Sequence, residues 1–385
     1  MPEVNTLTPT TVLAEDSPLV LTATLSPVAG LDRFQPAGFP EVGHVIYKAQ
    51  RSDGVTEHVC IVDSAASMAN HLESVCMRGS HDPDLVDELS GMPFLRCVTG
   101  PVAEGKLTDR QVVVTSLTEG HRLASTYFLG NRNRKSGRWD GKGGQRVSDT
   151  EGSLDPTSFG DALADEFGVA LAESNKAHPP FAKWWDVFKT IFRYDPNALV
   201  HGVLFPQWQI KISRALTAHL EARGAGRVDR SGVKFDRLGK TTSGQPIFAV
   251  DDAIAKEIRA TFILDIALIR SFGRKDGNKQ LGLSTEQQQF LVALALWKVD
   301  RLLKTPFRFR SGCHLQCLSL KSGDQVVEID VSIKDAITSA GFDKPPITDI
   351  YWPTEELYRE ASDPLATEES GSEGDGEPDG EDAGE

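Results

Sequence analysis

Residues 57–76 read EHVCIVDSAASMANHLESVC and contain a strand followed directly by a helix. The first part has the β-branched and apolar character of a strand. From Ala65 to Cys76, apolar residues recur at helical spacing and polar residues occupy the opposite side. Ser64 stands between the two elements, where an N-cap is expected. The stretch therefore predicts one strand that runs into an amphipathic helix.

The polar side of this helix allows two interpretations. In the simpler one, Ser64 is an ordinary N-cap. In the other, Ser64, Ser67 and Asn70 hold the phosphates of a polynucleotide near the positive end of the helix. Capping serines are common, so these residues alone do not separate the two interpretations.

A loop rich in proline and glycine precedes this unit, in FQPAGFPEVG at residues 34–43. Proline cannot donate to a strand ladder, and glycine permits backbone angles that are closed to other residues. The stretch predicts a stiff, shaped loop that holds Phe34 and Phe39 outside regular structure.

Hydrophobic patterns predict the other main elements. A strand is predicted at 18–27, and a capping-box pattern opens a helix at Ser284. An apolar strand is predicted at 198–205, with His201 in the core, and a helix at 207–224.

Two further stretches carry candidate contacts for an anion. A strand at 110–117 leads to His121 and Arg122, which either contact an anion or form an ordinary surface pair; His121 can also act as a general base. In FRFRSGC, the alternation places Arg308 and Arg310 on one outward face, towards a phosphate chain or towards solvent.

Charge is distributed unevenly along the chain. The formal net charge is −14, and residues 353–385 hold thirteen acidic residues against one basic residue. This tail is rich in glycine and acids and cannot bury a core, so we predict disorder there. Basic residues cluster in glycine-containing loops near 129–150 and 224–246, which are either solvated insertions or arms that contact phosphates.

Several classes of protein are disfavoured by the sequence. The five cysteines are scattered and form no disulfide framework, and neither a signal peptide nor a membrane-spanning run is recognisable. We therefore expect a cytoplasmic protein. No Walker loop, GxGxxG opening a helix, HExxH, GxSxG or kinase motif occurs. We expect no catalytic residues, no metal site and no cofactor.

Six distinctive strings follow one another between about residues 18 and 320: LTATLSPVAGLDRFQPAGFPEVG, DSAASMANHLE, SLTEGHRLAS, DPNALVHGVLF, SGVKFDRLG and ALALWKVDRLLKTPFRFRSGC. Together they resemble the CRISPR-associated RAMP-superfamily protein that forms the backbone of type I-G effector complexes, formerly called type I-U. The strings are long and keep their order, so chance is a poor explanation. The segment at 132–150 and the acidic tail lie outside the family pattern.

The resemblance implies an α+β fold. Its centre is an RRM-like, ferredoxin-type β-α-β-β-α-β palm with long thumb and web insertions. We expect this domain at 18–352, after a flexible N-terminus at 1–17 and before the disordered acidic tail at 353–385.

The resemblance also implies a function, that of a non-catalytic backbone subunit of a Cascade-type surveillance complex in antiviral defence. Copies form a helical filament along guide RNA (crRNA) and present it for base pairing with target DNA, so that pairing reads the sequence. The other implied partners are a fused subunit that processes the repeat and holds the guide's end, a large subunit that recognises the flanking motif, and a recruited helicase-nuclease. No membrane is involved.

Site residues follow from combining the resemblance with the charge pattern. The loop at 34–43 is expected to wedge against nucleic acid or a neighbouring subunit, and the helix after Ser64 to lie along the RNA backbone. The expected RNA-binding residues are Phe34, Gln35, Ser64, Ser67, Asn70, His121, Arg122, Lys234, Arg237, Arg308 and Arg310. The residues expected to contact the target strand or phosphates are Arg132, Arg134, Lys135 and Arg138.

Two other hypotheses stay open. The first is a RAMP-type endoribonuclease that processes guide RNA, with His121 as acid or base and His201 or Asp265 as its partner. The second is an interaction protein whose aromatic helix from Phe181 to Phe192 binds partners.

Overall fold

The computed structural model describes residues 5–38, 44–51, 53–130, 143–148, 151–169, 178–228, 252–304, 307–310 and 312–357. Elements are numbered along the chain. The helices are α1 Pro9–Leu13, α2 Ala65–Ser74, α3 Thr126–Leu129, α4 Phe159–Glu166, α5 Trp184–Tyr194, α6 Asn197–His201, α7 Ile266–Ser271, α8 Thr285–Lys304, α9 Ile333–Ala340 and α10 Thr354–Leu357.

A large, mostly antiparallel sheet forms the centre of the fold. Its strands are β1 Asn5–Leu7, β2 Leu19–Pro27, β4 Ile46–Gln50, β5 Thr56–Asp63, β16 Leu216–Arg223, β19 Glu257–Leu264, β22 Phe307–Arg310, β23 Cys313–Ser322 and β24 Gln325–Ile329. Their order is β1-β24-β23-β2-β19-β16-β5-β4, and β22 pairs with β23.

The four middle strands have the order of a ferredoxin-type unit. β23, β2, β19 and β16 are antiparallel neighbours and come fourth, first, third and second along the chain. α2 lies in the connection between β2 and β16, and α8 lies between β19 and β23. This is the β-α-β-β-α-β arrangement, so the predicted α+β fold with an RRM-like palm is confirmed.

Alternation along the strands separates a buried face from an outer face. On the buried face, Leu21, Phe262 and Leu264 line the contact with α8. The outer positions of β2 and β19 are Val20, Thr22, Thr24, Ser26, Glu257, Arg259, Thr261 and Ile263. None of these is aromatic, whereas RNA-recognition sheets stack bases on aromatic residues at such positions. The outer positions of β2 and β19 therefore lack the usual stacking platform.

A second sheet is built from the insertion between α2 and β16 together with a strand near the C-terminus. Its strands are β8 Phe94–Thr99, β11 Gln111–Thr115, β12 Gln145–Val147, β13 Leu154–Ser158 and β25 Ile347–Tyr351, in the order β11-β8-β25-β12-β13. Asp349 of β25 is buried and binds Arg96 and Arg110 at 2.8 and 2.9 Å. This ion-pair cluster ties the C-terminal strand into the insertion.

Short strands complete the structure. They are β3 Arg33–Phe34, β17 Gly226–Val228 and β18 Asp252–Ile254 in one sheet, and the hairpins β6 Met77–Gly79 with β7 Asp82–Leu85, β9 Val102–Ala103 with β10 Lys106–Leu107, β14 Val203–Phe205 with β15 Ile210–Ile212, and β20 Gly273–Asp276 with β21 Lys279–Gly282.

Two stretches have a secondary structure that differs from the predicted one. Residues 207–224 form β15 and β16 instead of a helix, and residues 198–205 form α6 and β14 instead of one strand. Leucine and alanine favour helices intrinsically. In β16, however, they alternate with polar residues at period two, from Leu216 to Ala222, and the buried sheet face selects the strand.

The termini also differ from expectation. The segment assigned to a flexible N-terminus contains β1, which pairs with β24, and α1, whose Val12 and Leu13 are buried. At the other end, α10 begins at Thr354, within the segment assigned to the acidic tail. The tail from residue 358 onward lies outside the described residues.

Candidate nucleic-acid interface

Asp63 joins the end of β5 to the first turn of α2. Its buried carboxylate accepts hydrogen bonds from the amide of Ser64 and the hydroxyl of Ser67, both at 3.0 Å. Nε2 of His71, one turn further along, lies 3.0 Å from Oδ2 of Asp63, the oxygen that also accepts from Ser67. Ser64 caps the helix, because its hydroxyl oxygen accepts from the amide of Ser67 at 3.1 Å.

Arg310 completes this cluster from β22. Its guanidinium donates to Asp63 at 2.8 Å and to the carbonyl of Val62 at 2.7 Å. Burial alone would raise the pKa of Asp63, but the His71 contact, the Arg310 charge and the Ser67 hydroxyl together lower it. Asp63 is therefore ionised at neutral pH.

This geometry bears on the two interpretations of the serines. The carboxylate of Asp63 already lies at the positive end of α2, where the backbone amide of Ser64 and the hydroxyl of Ser67 hold it. The simpler interpretation, N-capping, is what the hydrogen bonds of Ser64 show. Asn70, one turn further along α2, is exposed. Asn70 is thus more accessible to an external partner than Ser64 and Ser67, which are partly buried.

The proline-rich loop is held by its backbone. The amide of Gln35 donates to the carbonyl of Gly312 at 2.9 Å, and the amide of Ala37 donates to the carbonyl of Val62 at 2.9 Å. Phe34 lies in β3, pairs with β18 and is 1% exposed. A ring buried to this extent cannot stack on a base, so the expectation that Phe34 tips the loop is corrected. Gln35 is half-buried beside Arg310, and Phe39 lies outside the described residues.

The two strands that border the second basic segment lie beside this loop. β17 and β18 are antiparallel, with Val228 opposite Asp252, so the chain enters and leaves residues 229–251 side by side. β18 pairs with β3 on its other side. Lys234 and Arg237 belong to this segment and lie outside the described residues.

Two arginines that are not among the expected RNA-binding residues lie on β3 and β17, although Arg227 belongs to the second basic cluster of the sequence. Arg33 of β3 is exposed, with its Nε 3.6 Å from Asp252 Oδ2. Arg227 of β17 is exposed and donates to the carbonyl of His44 at 3.1 Å. No pattern in the sequence singled out Arg33, because the stretch from Phe34 onward was predicted to be a loop and only the structure shows a two-residue strand in which Arg33 is exposed and Phe34 is buried.

We use the term α2 surface for the residues around the N-terminal end of α2 and the loop beside it: Arg33, Gln35, Ser64, Ser67, Asn70, Arg227, Arg308 and Arg310. Arg308 is exposed, whereas Phe309 is buried and packs edge-on against His71. Exposed arginines therefore surround a polar helix end whose own carboxylate is buried and paired. Such a surface suits contacts to phosphates and sugar hydroxyls, which carry no sequence information.

Arg122 has a structural role instead of the expected RNA contact. It is buried and binds Glu73 of α2 through two hydrogen bonds of 2.6 and 2.8 Å. It also donates to the carbonyl of Gly202 at 3.1 Å. Its guanidinium is thus used inside the protein, and the expectation of a direct RNA contact is corrected. His121 next to it is exposed.

The Glu73–Arg122 pair belongs to a buried polar network. Asn197 donates to Glu73 at 2.7 Å and accepts a hydrogen bond from Lys298 of α8, which is fully buried. Asp195 is also fully buried. Burial and the charge of Glu73 raise the pKa of Asp195 to about 7, against the opposing charges of Arg122 and Lys298.

The expected contacts of the first basic segment fall on residues that the structure does not describe. Arg132, Arg134, Lys135 and Arg138 lie outside the described residues. The structure thus brings together Gln35, Ser64, Ser67, Asn70, Arg308 and Arg310, and it leaves His121 at the opposite end of α2. This ten-residue helix separates the two places by about 15 Å.

Comparison with protein families gives a match. The model of the family described as CRISPR-associated protein GSU0053 matches residues 19–227, which is more than half of the chain. The chain belongs to this family. It is thus a CRISPR-associated protein, and this membership supports a role in CRISPR defence. The matched part contains β2, the proline-rich loop, α2 and Arg122, whereas Arg308 and Arg310 lie beyond it.

Two further findings concern relatives and membrane-spanning helices. Comparison with curated proteins gives no match. Among the described residues, no helix combines the length and the apolar character that crossing a membrane requires.

Proposed function

We propose that this CRISPR-associated protein is a non-catalytic backbone subunit of a type I surveillance complex, of subtype I-G. Copies of the chain coat guide RNA as a filament and present it to target DNA. The fused guide-end subunit, the large flanking-motif subunit and the helicase-nuclease are its proposed partners. The observation that carries the proposal is family membership combined with the α2 surface.

The α2 surface supports binding that does not depend on base identity. Its exposed groups are arginines and one amide, which suit phosphate and ribose contacts. The outer face of the palm offers no aromatic residue on β2 or β19 for stacking. A subunit that accepts every guide needs contacts to the backbone, and base pairing then supplies the sequence specificity.

Charge reversal at Arg308 tests this surface. We expect Arg308→Glu to weaken binding of a single-stranded RNA several-fold, because a cation near phosphates becomes an anion. The slope of log affinity against log salt should fall in magnitude by about 0.7 for each lost phosphate contact. Fluorescence anisotropy with labelled RNA at several salt concentrations measures both quantities.

The matched control is Lys275→Glu, the same type of reversal on the exposed β20–β21 hairpin. It should leave affinity and slope unchanged. Equal affinity and equal slope for Arg308→Glu and the unaltered protein would contradict a role of the α2 surface in RNA binding.

A second candidate function is favoured by one observation: His121 and His201 line the same cavity. Two imidazoles can cleave RNA, one removing the 2′-hydroxyl proton during attack on the phosphate and the other protonating the leaving 5′-oxygen. Asp265, the other expected partner, caps α7 by accepting from the amide of Leu268 at 2.9 Å.

Cleavage is tested with guide-precursor RNA and pure protein, with and without Mg²⁺. The backbone-subunit proposal predicts intact RNA in both buffers. Products that appear with the unaltered protein and disappear with His121→Ala would establish the endoribonuclease instead.

A further inference from the structure

A cavity of about 620 Å³ opens at the opposite end of α2 from the α2 surface. It lies between the β14–β15 hairpin, the beginning of β16 and the turn at 120–122. We call it the Lys211 cavity. Its volume is in the range of small-molecule and nucleotide sites.

The mouth of the cavity is positively charged. Lys211, Arg214 and His121 are exposed residues of its lining, and Ser213 adds a hydroxyl. No carboxylate is among the described residues that line it. Arg122 lies at the floor, where Glu73 neutralises it. The net charge at the mouth therefore comes from Lys211 and Arg214 and favours an anion.

The fold positions Arg214 over the floor of the cavity. Gly202 has a φ of +81° and follows the last residue of α6. A Cβ at Gly202 would lie 3.1 Å from Cγ of Arg214 and 2.9 Å from the carbonyl oxygen of Ile212. The absence of a side chain at Gly202 thus lets the stem of Arg214 pack directly on the backbone. Arg214 is anchored at its base and exposed at its end.

His201 supplies a second, independent sign of a ligand. It lines the cavity, is 1% exposed, and neither ring nitrogen has a hydrogen-bond partner. Burial and the charges of Lys298, Arg122 and Arg214 lower its pKa well below the usual value, so the ring is neutral at pH 7. A neutral imidazole offers one donor and one acceptor. Buried polar groups rarely stay unpaired, so a ligand with a group that both donates and accepts fits this position.

We propose that the Lys211 cavity binds one nucleotide of single-stranded RNA, with its phosphate on Lys211 and Arg214 and its ribose 2′-hydroxyl on His201. The 2′-hydroxyl both donates and accepts, so it can pair with one of the two unpaired ring nitrogens in either tautomer of the neutral ring. Leu204, exposed at the rim, gives the sugar or base an apolar contact. The inference rests on the proposed function and adds to it a second contact point and a means to distinguish RNA from DNA.

The first test removes the two cations. In anisotropy titrations with a labelled RNA of about 30 nucleotides, the full-length variant Lys211→Ala/Arg214→Ala should bind about tenfold more weakly than the unaltered protein. The magnitude of its salt slope should fall by about 1.4, the value for two phosphate contacts on a single strand. Lys275→Ala/Lys279→Ala, the matched control on the β20–β21 hairpin, should change neither quantity.

The second test concerns the ribose. The unaltered protein should prefer RNA to DNA of the same sequence by about fivefold, the effect of one hydrogen bond. His201→Phe keeps an aromatic ring in place and should reduce this preference, and any preference that remains comes from sugar contacts elsewhere, such as those of the α2 surface. If that variant does not fold, the salt slope of the double variant still decides the phosphate contacts.

The outcomes separate the two proposals. RNA binding by the unaltered protein, with unchanged affinity and slope in Lys211→Ala/Arg214→Ala, overturns the cavity inference and leaves the proposed function standing. An RNA preference that is undiminished in His201→Phe overturns the ribose contact. Failure of the unaltered protein to bind RNA at low salt overturns the proposed function and the inference together.

Discussion

Arg122→Ala is expected to lower the free energy of unfolding by about 3–5 kcal/mol, because it leaves the buried carboxylate of Glu73 without its charged partner. Asn197 still donates to Glu73, but one neutral hydrogen bond does not replace a bidentate guanidinium. The carbonyl of Gly202 loses its donor as well. Urea unfolding followed by circular dichroism measures the loss.

The control for this prediction is an ion pair of the same type at the surface. Arg78 binds Asp87 at 3.1 Å, and both side chains are largely exposed. Arg78→Ala should cost at most about 1 kcal/mol. A variant Arg122→Ala that kept its stability but lost RNA affinity would contradict the structural role and restore the contact expected from the sequence.

Asp195→Asn is expected to change how stability depends on pH. The pKa of Asp195 in the folded protein, about 7, lies above its unfolded value of 3.8, so folding favours the protonated form. The contribution of Asp195 to the free energy of unfolding is therefore complete below pH 3.8 and is lost as the pH rises through about 7. Asparagine does not titrate in this pH range, so Asp195→Asn lacks this contribution. The free energy of unfolding of Asp195→Asn minus that of the unaltered protein should therefore increase by roughly 2 kcal/mol between pH 5 and pH 7.

Comparing the two proteins removes the contributions of other groups. His201 acts in the opposite direction, because its lowered pKa makes the unfolded state bind more protons below about pH 6.5. This contribution is common to both proteins. Urea unfolding at pH 5, 6, 7 and 8 gives the difference, and Asp324→Asn, at an exposed turn, serves as the control. Parallel curves for Asp195→Asn and the unaltered protein would contradict the raised pKa.

The local parts of the fold were predictable from the sequence. α2 combines a capping serine with apolar residues at helical spacing, and both signals lie within a dozen residues. The strand β5 before it was predicted on similar grounds. β16 was not, since leucine and alanine favour a helix locally and only its neighbours β5 and β19 make it a strand.

The candidate site depended on contacts between distant residues, which patterns in one sequence do not reveal. Glu73 and Arg122 are 49 residues apart, and Asp63 and Arg310 are 247 apart. Residue type alone made Arg122, Arg308 and Arg310 equal candidates for phosphate contacts. Only the fold distinguishes a guanidinium buried against Glu73 from Arg308 at the surface. Phe34 illustrates the same limit, because its loop composition suggested exposure and its pairing with β18 buries it.

The central claim is that the chain assembles on guide RNA. Its most direct test is the absorbance ratio at 260 and 280 nm, measured together with light scattering, for protein purified alone and for protein co-expressed with its guide-RNA locus. We expect a large, RNA-rich particle in the second preparation, and nuclease treatment should convert it into small, RNA-free protein. A small, RNA-free protein from cells that contain the guide RNA would contradict it.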